Sequence, residues 1–374
     1  MSSILNKVIV SLGLYLSILT AAQPGDMLVW RAVNAFYNYE TAHAISILDS
    51  ARIEYPENPL THFTWAAAQM LHAEANYTTE RTYLILSTSL NEIIPILIRL
   101  EEKYSQDPEY RLYLGCAIGL RARVSLGRKQ WLSTLVNAFK GFRLIQAVAR
   151  RNPELIDAQL PMGIVEYYAG LKPGFIQLGA KLMGIGANRA GGLAKIEKAA
   201  ARGEFSRIEA KKIFAFLSLW VEDDPESALD YSRDLRVEYP QNLFFGIMYL
   251  ESLIRTKNYT EAKKLMNMLE RELVLLSSIQ QGWYKSYLQY ELALFKFLHE
   301  DYIEALQNVD EAIHNYKAEL DIFLGNAWLL KGMIHDRKGN REEAIQAYRA
   351  CINLDNNSAA IKRGKEYLNS PLKN

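Results

Sequence analysis

"NAWLLKGMIHDRKGNREEAIQAYRACINLDNNS", residues Asn326 to Ser358, decides the fold of this 374-residue chain. Apolar residues recur at spacings of three and four on both sides of a Lys-Gly-Asn break, the period of two amphipathic helices joined by a turn. Gly339-Asn340 can take the positive backbone angle that such a turn needs. Gly332 and Ala344 are small, as two closely crossing helices require. Trp328 and Tyr348 are large enough to fill the spaces between one helix and the next.

The punctuation repeats elsewhere. "AHAISILDSARIEYPEN" (Ala42 to Asn58) and "ESALDYSRDLRVEYPQN" (Glu226 to Asn242) align at one constant shift. It pairs Ala44 with Ala228, Arg52 with Arg236, Glu54-Tyr55-Pro56 with Glu238-Tyr239-Pro240, and Asn58 with Asn242. "NYTEA" (Asn258 to Ala262) and "DYIEA" (Asp301 to Ala305) carry the same turn, aromatic and small alanine. "GFRLIQAVARRNP" (Gly141 to Pro153) fits with Gly141 as the small residue. Strand-type alternation is scarce after Gln23, and proline falls mainly between helical runs.

The Asn326 to Ser358 stretch resembles the tetratricopeptide repeat, a 34-residue helix-turn-helix. Trp328, Gly332, Gly339, Ala344, Tyr348 and Cys351 occupy its signature positions, and Asn356 stands where proline is usual. The expected fold class is therefore all-α: a right-handed α-solenoid of tetratricopeptide-like helix pairs with a Gly/Pro-rich insert. Four segments are expected. Residues 1–22 form a signal peptide, 23–160 degenerate helical repeats, 161–212 the central helical insert, and 213–374 the C-terminal tetratricopeptide repeats.

The insert contains "GLKPGFIQLGAKLMGIGANRAGG", Gly170 to Gly192. A dinucleotide loop must follow a strand, and a Walker loop ends in Gly-Lys-Ser/Thr. This stretch follows a helical run and lacks that ending, so phosphate binding is disfavoured. Architecture is the better reading: Pro173, Gly184, Gly186, Arg189 and Gly192 would build a tight helical corner. A short interfacial hairpin that touches a membrane surface is the alternative. From Pro161 to Trp220 the chain resembles the family of tetratricopeptide repeat protein thirty-nine, which includes the fungal inclusion-body clearance proteins. Leu171 and Pro173, Gly184-Ile185-Gly186, Asn188-Arg189 and Gly192-Leu193 match its signature in order, with Asn188 where the family carries aspartate. The resemblance implies a non-catalytic helical-repeat scaffold.

With 49% hydrophobic and 23% charged residues the chain can bury a large core, and its formal net charge of +1 leaves no whole-chain footprint for nucleic acid. Its two cysteines, Cys116 and Cys351, exclude a disulfide framework and lack further zinc ligands at short spacing. At the N-terminus, Lys7, the apolar run Val8 to Leu19 and Thr20-Ala21-Ala22 have the layout of a cleavable secretory signal. Export is the expectation, to the periplasm if the source is a diderm bacterium and otherwise out of the cell.

The six histidines are scattered, none forms H-E-x-x-H, and no nucleophile elbow or clustered acid pair is visible. No catalytic residue, cofactor or metal site is expected. A binding groove lined by the first helix of each pair is expected instead. Counting from the signature positions, it would present Phe244 and Ile247, then Tyr287, Tyr290, Leu294 and Phe297, then Asn326, Leu329, Met333 and Asp336. Chaperone-binding members of the repeat family clamp a carboxylate with Asn, Lys and Arg at these places, and only Asn326 fits. A hydrophobic helix or extended segment of a protein or peptide partner is the better ligand, unless another helix of the chain covers the stripe. A helical accessory domain of an enzyme system is the remaining alternative.

Overall fold

The computed structural model describes residues 23–128, 130–171, 184–318 and 320–372. The signal-peptide expectation for residues 1–22 and the role given to Pro173 lie outside them. Among the described residues there are seventeen α-helices and no strand. They fall into eight successive hairpins and a final single helix. In order these are α1 Asp26–Tyr37 with α2 Thr41–Glu54, α3 Pro59–Asn76 with α4 Thr79–Lys103, α5 Pro108–Gly127 with α6 Trp131–Arg151, and α7 Gln159–Gly170 with α8 Arg189–Arg202. Then come α9 Arg207–Leu217 with α10 Pro225–Glu238, α11 Leu243–Arg255 with α12 Tyr259–Leu273, α13 Ser278–Leu298 with α14 Tyr302–His314, α15 Ile322–Arg337 with α16 Arg341–Asn353, and the closing α17 Ala359–Asn369. Most connections are short, which makes neighbouring helices antiparallel.

The turn inside a hairpin is a recurring backbone device. Tyr39, Lys257, Glu300 and Gly339 all have left-handed φ between 63° and 78°. The next residue in each case returns a bond to the carbonyl five positions earlier: Glu40 to Ala35 at 2.9 Å, Asn258 to Leu253 at 2.8 Å, Asp301 to Lys296 at 3.0 Å and Asn340 to His335 at 2.9 Å. This closure satisfies carbonyls that a helix end would leave bare. Only one of the four uses glycine, so the repeat is regular in backbone where it is degenerate in sequence.

The aligned segments perform equivalent work. Ala44 and Ala228 are both fully buried. Asn58 caps α3 by accepting from Leu60 N, and Asn242 caps α11 by accepting from Phe245 N. Arg52 on α2 reaches Glu92 on α4 at 2.6 Å, while Arg236 on α10 reaches Glu272 on α12 at 2.6 Å. In each case the arginine ties the second helix of one hairpin to the second helix of the next.

Of residues 161–212, expected as a central helical insert, the described part holds most of α7, all of α8 and the start of α9, with α7 and α8 packed on each other. A Cβ on Gly192 would sit 2.5 Å from Tyr167 N and 2.7 Å from Gly163 O, so α7 and α8 cross backbone to backbone. Gly163 meets Gly192 reciprocally. Gly184 has a φ of 74°, and Gln146 Nε2 donates to its carbonyl at 2.7 Å. Gly186 lies beside Glu166. Asn188 caps α8 by accepting from Gly191 N at 3.0 Å.

One continuous core runs from Val29 in α1 to Ile334 in α15. The array curls until α3 meets α13. Polar contacts mark the seam. Tyr39 hydroxyl lies 3.1 Å from both Asn242 Oδ1 and the Tyr284 hydroxyl, Asn242 Nδ2 donates to Tyr37 O at 2.8 Å, and Ser277 Oγ donates to Ala75 O. Much of the concave face is thereby filled by the chain itself. Among the described residues α4 is long and apolar enough to cross a membrane by length and composition. Its Leu86, Leu90, Ile93 and Leu97 are fully buried in this core, and Glu80 and Glu92 face outward.

Candidate functional site

The expected groove residues divide into two groups. Phe244, Ile247 and Tyr287 belong to the filled part. Tyr287 stacks on Phe323 at 3.8 Å between ring centroids, Trp220 lies 4.5 Å from the same ring, and Phe244 lies 6.4 Å from Tyr284. Ile247 is fully buried. These positions are thus packed against other parts of the chain, with Phe244 half-buried.

Six of the other seven converge. Tyr290, Leu294, Phe297, Asn326, Leu329 and Met333 line a depression of about 280 Å³. The first helices α11, α13 and α15 form its floor and walls, α17 closes one side, and the turn after α9 closes another. Asp336 is not among the lining residues. Its carboxylate accepts from Arg341, from the Tyr348 hydroxyl at 2.8 Å and from Leu372 N at 3.0 Å, which fastens the C-terminal end.

The turn after α9 departs from the regular pattern. Residues Ser218–Glu222 make a π-helical turn, after which Asp223 takes a left-handed φ of 64°. Such wide turns re-aim side chains and recur at functional sites. Here Asp223 is placed between two cations. Its Oδ1 accepts from Arg255 Nη2, and its Oδ2 lies 2.6 Å from Arg363 Nη2 on α17. Arg255 Nη1 also donates to Leu219 O at 2.6 Å. The π turn is held from behind, where Arg189 forms two 2.7 Å bonds to Glu222, and Tyr167 hydroxyl donates to the same carboxylate. Arg189 thus links the central hairpin to the depression.

Below the lining sits a buried carboxyl pair. Glu251 lines the depression and is 1% exposed; Glu291 lies against it and is fully buried. Glu251 Oε1 has Arg255 Nη1 and the Tyr290 hydroxyl, each at 3.5 Å. Glu251 Oε2 and both Glu291 oxygens have no hydrogen-bond donor. Burial, and then the Glu251 charge, pushes the Glu291 carboxyl well above the usual carboxylate range. The neutral form of Glu291 is thereby favoured beside Glu251.

Asp223, Glu251, Arg255 and Arg363 were not anticipated as site residues. One signal was available for Glu251: it is the single charge inside the apolar run "LFFGIMYLESLI", Leu243 to Ile254. "EDDPE" at 222–226 reads as an inter-helix turn, and nothing in it discloses the π turn that brings Asp223 onto Arg255 and Arg363.

A wider depression of about 780 Å³ lies among α2, α3 and α4, with Arg52, Ile53, Arg99 and Lys103 on its border. Arg52 is committed to Glu92, and Lys103 to Glu57. Cys351 is buried and Cys116 half-buried; neither is in a disulfide, and burial pushes both thiols up to about 12. Among the described residues no group of three or more His, Cys, Asp and Glu side chains is arranged to hold a metal ion.

A tetratricopeptide repeat model matches residues 325–358. No curated protein matches the chain. Among solved structures, a tetratricopeptide repeat protein from Parabacteroides merdae is 12% identical over 93% of this chain and 98% of its own, with a TM-score of 0.35. A human IFIT1 dimer with PPP-AAAA is 12% identical over 85% and 69%, with a TM-score of 0.35, and yeast Tom70 is 10% identical over 91% and 95%, with a TM-score of 0.26. Residues 325–358 are a tetratricopeptide repeat, and the helices around them make the chain a tetratricopeptide-like helical scaffold, an architecture typical of protein–protein interaction.

Proposed function

We propose that this chain is an exported, non-catalytic scaffold that holds a segment of a protein partner in the depression between α11, α13, α15 and α17. The observation that carries the reading is the convergence of six groove positions from two successive hairpins on one apolar hollow. Stacked first helices are the surface that repeat proteins use for binding. An apolar lining with a few fixed polar groups suits an inserted side chain better than a reacting substrate. The likeness of residues 161–220 to the family of tetratricopeptide repeat protein thirty-nine adds to the scaffold reading, and the N-terminal signal layout adds export.

Panning a random-peptide phage library on the purified chain tests the groove. Selected peptides should bind the parent and lose at least tenfold in affinity to Met333→Glu and Leu294→Glu, since a charge on an apolar wall strands an unpaired ion. Both positions are half-buried, so the variants should keep the parent's circular dichroism. Undiminished binding to folded variants would overturn the assignment. Fractionation of cells that express the tagged full chain tests export, and recovery in the cytosol with residues 1–22 intact would refute it.

A further inference from the structure

From Tyr110 to Pro153 the sequence holds nine lysines and arginines and no aspartate or glutamate, in a chain whose formal net charge is +1. That stretch is the α5–α6 hairpin, and α6 alone among the seventeen described helices carries no carboxylate. On α5 the cations are engaged within the fold. Arg111 Nε donates to Glu101 Oε1 at 2.7 Å, Arg121 Nη2 donates to Asn91 Oδ1 at 2.9 Å, and Arg123 lies 2.8 Å from Glu74. On α6 they are not. Lys140, Arg143, Arg150 and Arg151 are exposed, and none is in an ion pair or hydrogen bond with a described residue.

Helical spacing puts these four cations, with Val136 and Ala147, within about 100° of the circumference and along about 22 Å of the axis. The opposite face is packed: Phe142, Ile145 and Val148 are buried. A Cβ on Gly141 would sit 2.7 Å from Gly115 O, so α6 lies backbone to backbone on α5 and its outward direction is fixed. Arg150 and Arg151 also suit the negative end of the helix dipole. Lys140 and Arg143 stand mid-helix, where the dipole offers nothing, so the stripe as a whole has no use inside the fold. An anionic bilayer spreads its charge over a plane, along which a straight cationic ridge can lie. Val136, 43% exposed at one end of the ridge, suits the boundary between headgroups and acyl chains. Single-stranded nucleic acid is held by a groove with stacking rings, and none of these positions is aromatic.

We propose that the outer face of α6 docks the scaffold on an anionic phospholipid surface, with Lys140, Arg143, Arg150 and Arg151 against the headgroups. The inference is independent of the groove reading, since α6 contributes nothing to the depression.

Co-sedimentation of the full chain is compared on vesicles of phosphatidylcholine alone and of phosphatidylcholine with about one-third phosphatidylglycerol. At about 0.15 M salt the anionic vesicles should bind at least about a hundredfold better, and about 0.5 M salt should release the protein. Each basic residue at the surface is worth about fivefold in partition, so Lys140→Gln with Arg143→Gln should lower binding about twentyfold. Lys263→Gln with Lys264→Gln removes the same charge from exposed positions on α12 and should leave binding within about twofold of the parent. All four positions are exposed, so circular dichroism should match the parent in both variants. Equal binding to the two vesicle types, or equal losses in the α6 and α12 variants, overturns the inference. So does tighter binding to a single-stranded oligonucleotide that the α6 variant loses, because the ridge would then serve nucleic acid.

Discussion

Glu109 offers a test of the packing between the N-terminal and central hairpins. It stands in the first turn of α5, where burial first, then Asp107, Asp26, Glu204 and Asp157, lifts its carboxyl to about 7. Asp26 and Asp157 are well supplied with donors: Gln23 N and Asn58 Nδ2 for the first, Phe205 N, Ser206 N and Ser206 Oγ for the second. Glu109 receives Gln23 Nε2 at 3.0 Å. Because its folded pKa is raised, the stability linked to this group is fully present below the unfolded value near 4.3 and is lost as pH climbs to about 7. At about 1.4 kcal/mol per tenfold change in proton affinity, the ceiling is about 4 kcal/mol. Glu109 is half-buried, and solvent screening reduces this to about 1–2 kcal/mol. Glu109→Gln keeps an acceptor for Gln23 and removes the charge. Urea denaturation should find the variant level with the parent at pH 4.5 and about 1–2 kcal/mol more stable at pH 8. A difference that is the same at both pH values, or a less stable variant at pH 8, would refute the account of this cluster.

Gly192→Ala forces α7 from α8 by nearly an ångström at a backbone contact; after the gain in helix propensity it should cost about 2–3 kcal/mol in urea unfolding. Gly163→Ala strains the same crossing, so the double variant should fall short of additivity, and strict additivity would show that the two glycines do not share a contact. Tyr39→Phe removes a hydroxyl shared with Asn242 and Tyr284 and should cost about 1–2 kcal/mol. It should also speed limited proteolysis near the α1–α2 turn, and an unchanged cleavage pattern would count against the seam. Asp336→Asn leaves three donors facing a weaker acceptor, so amide exchange over 359–369 should accelerate while α1 to α4 stay protected.

Local chemistry made the helix pairs readable. Small residues at Gly332 and Ala344, the turn at Gly339-Asn340 and the Arg-x-Glu-Tyr-Pro punctuation all act within one hairpin or between neighbours. Each leaves a short-range signature because the physical constraint is itself short-range. The turns that end at Asn258 and Asp301 were legible from the residues after them, whereas the one at Tyr39 was not, since a Schellman closure tolerates a non-glycine residue once tertiary packing holds it. Tyr290, Leu294, Phe297, Asn326, Leu329 and Met333, singled out by repeat register, share one hollow. Whether an inward position is open or covered depends on how far the solenoid curls, and that angle accumulates over many small helix–helix rotations. Phe323 and Tyr284 pack on Tyr287 and Phe244, and Ile247 is fully buried, so these three lie within the chain's own packing. The same accumulation brings Arg363 of the last helix to Asp223, just past the π turn and 140 residues earlier. Periodicity and small side chains thus determined the helix pairs, while only the summed curvature decided which charges meet and where the scaffold stays open.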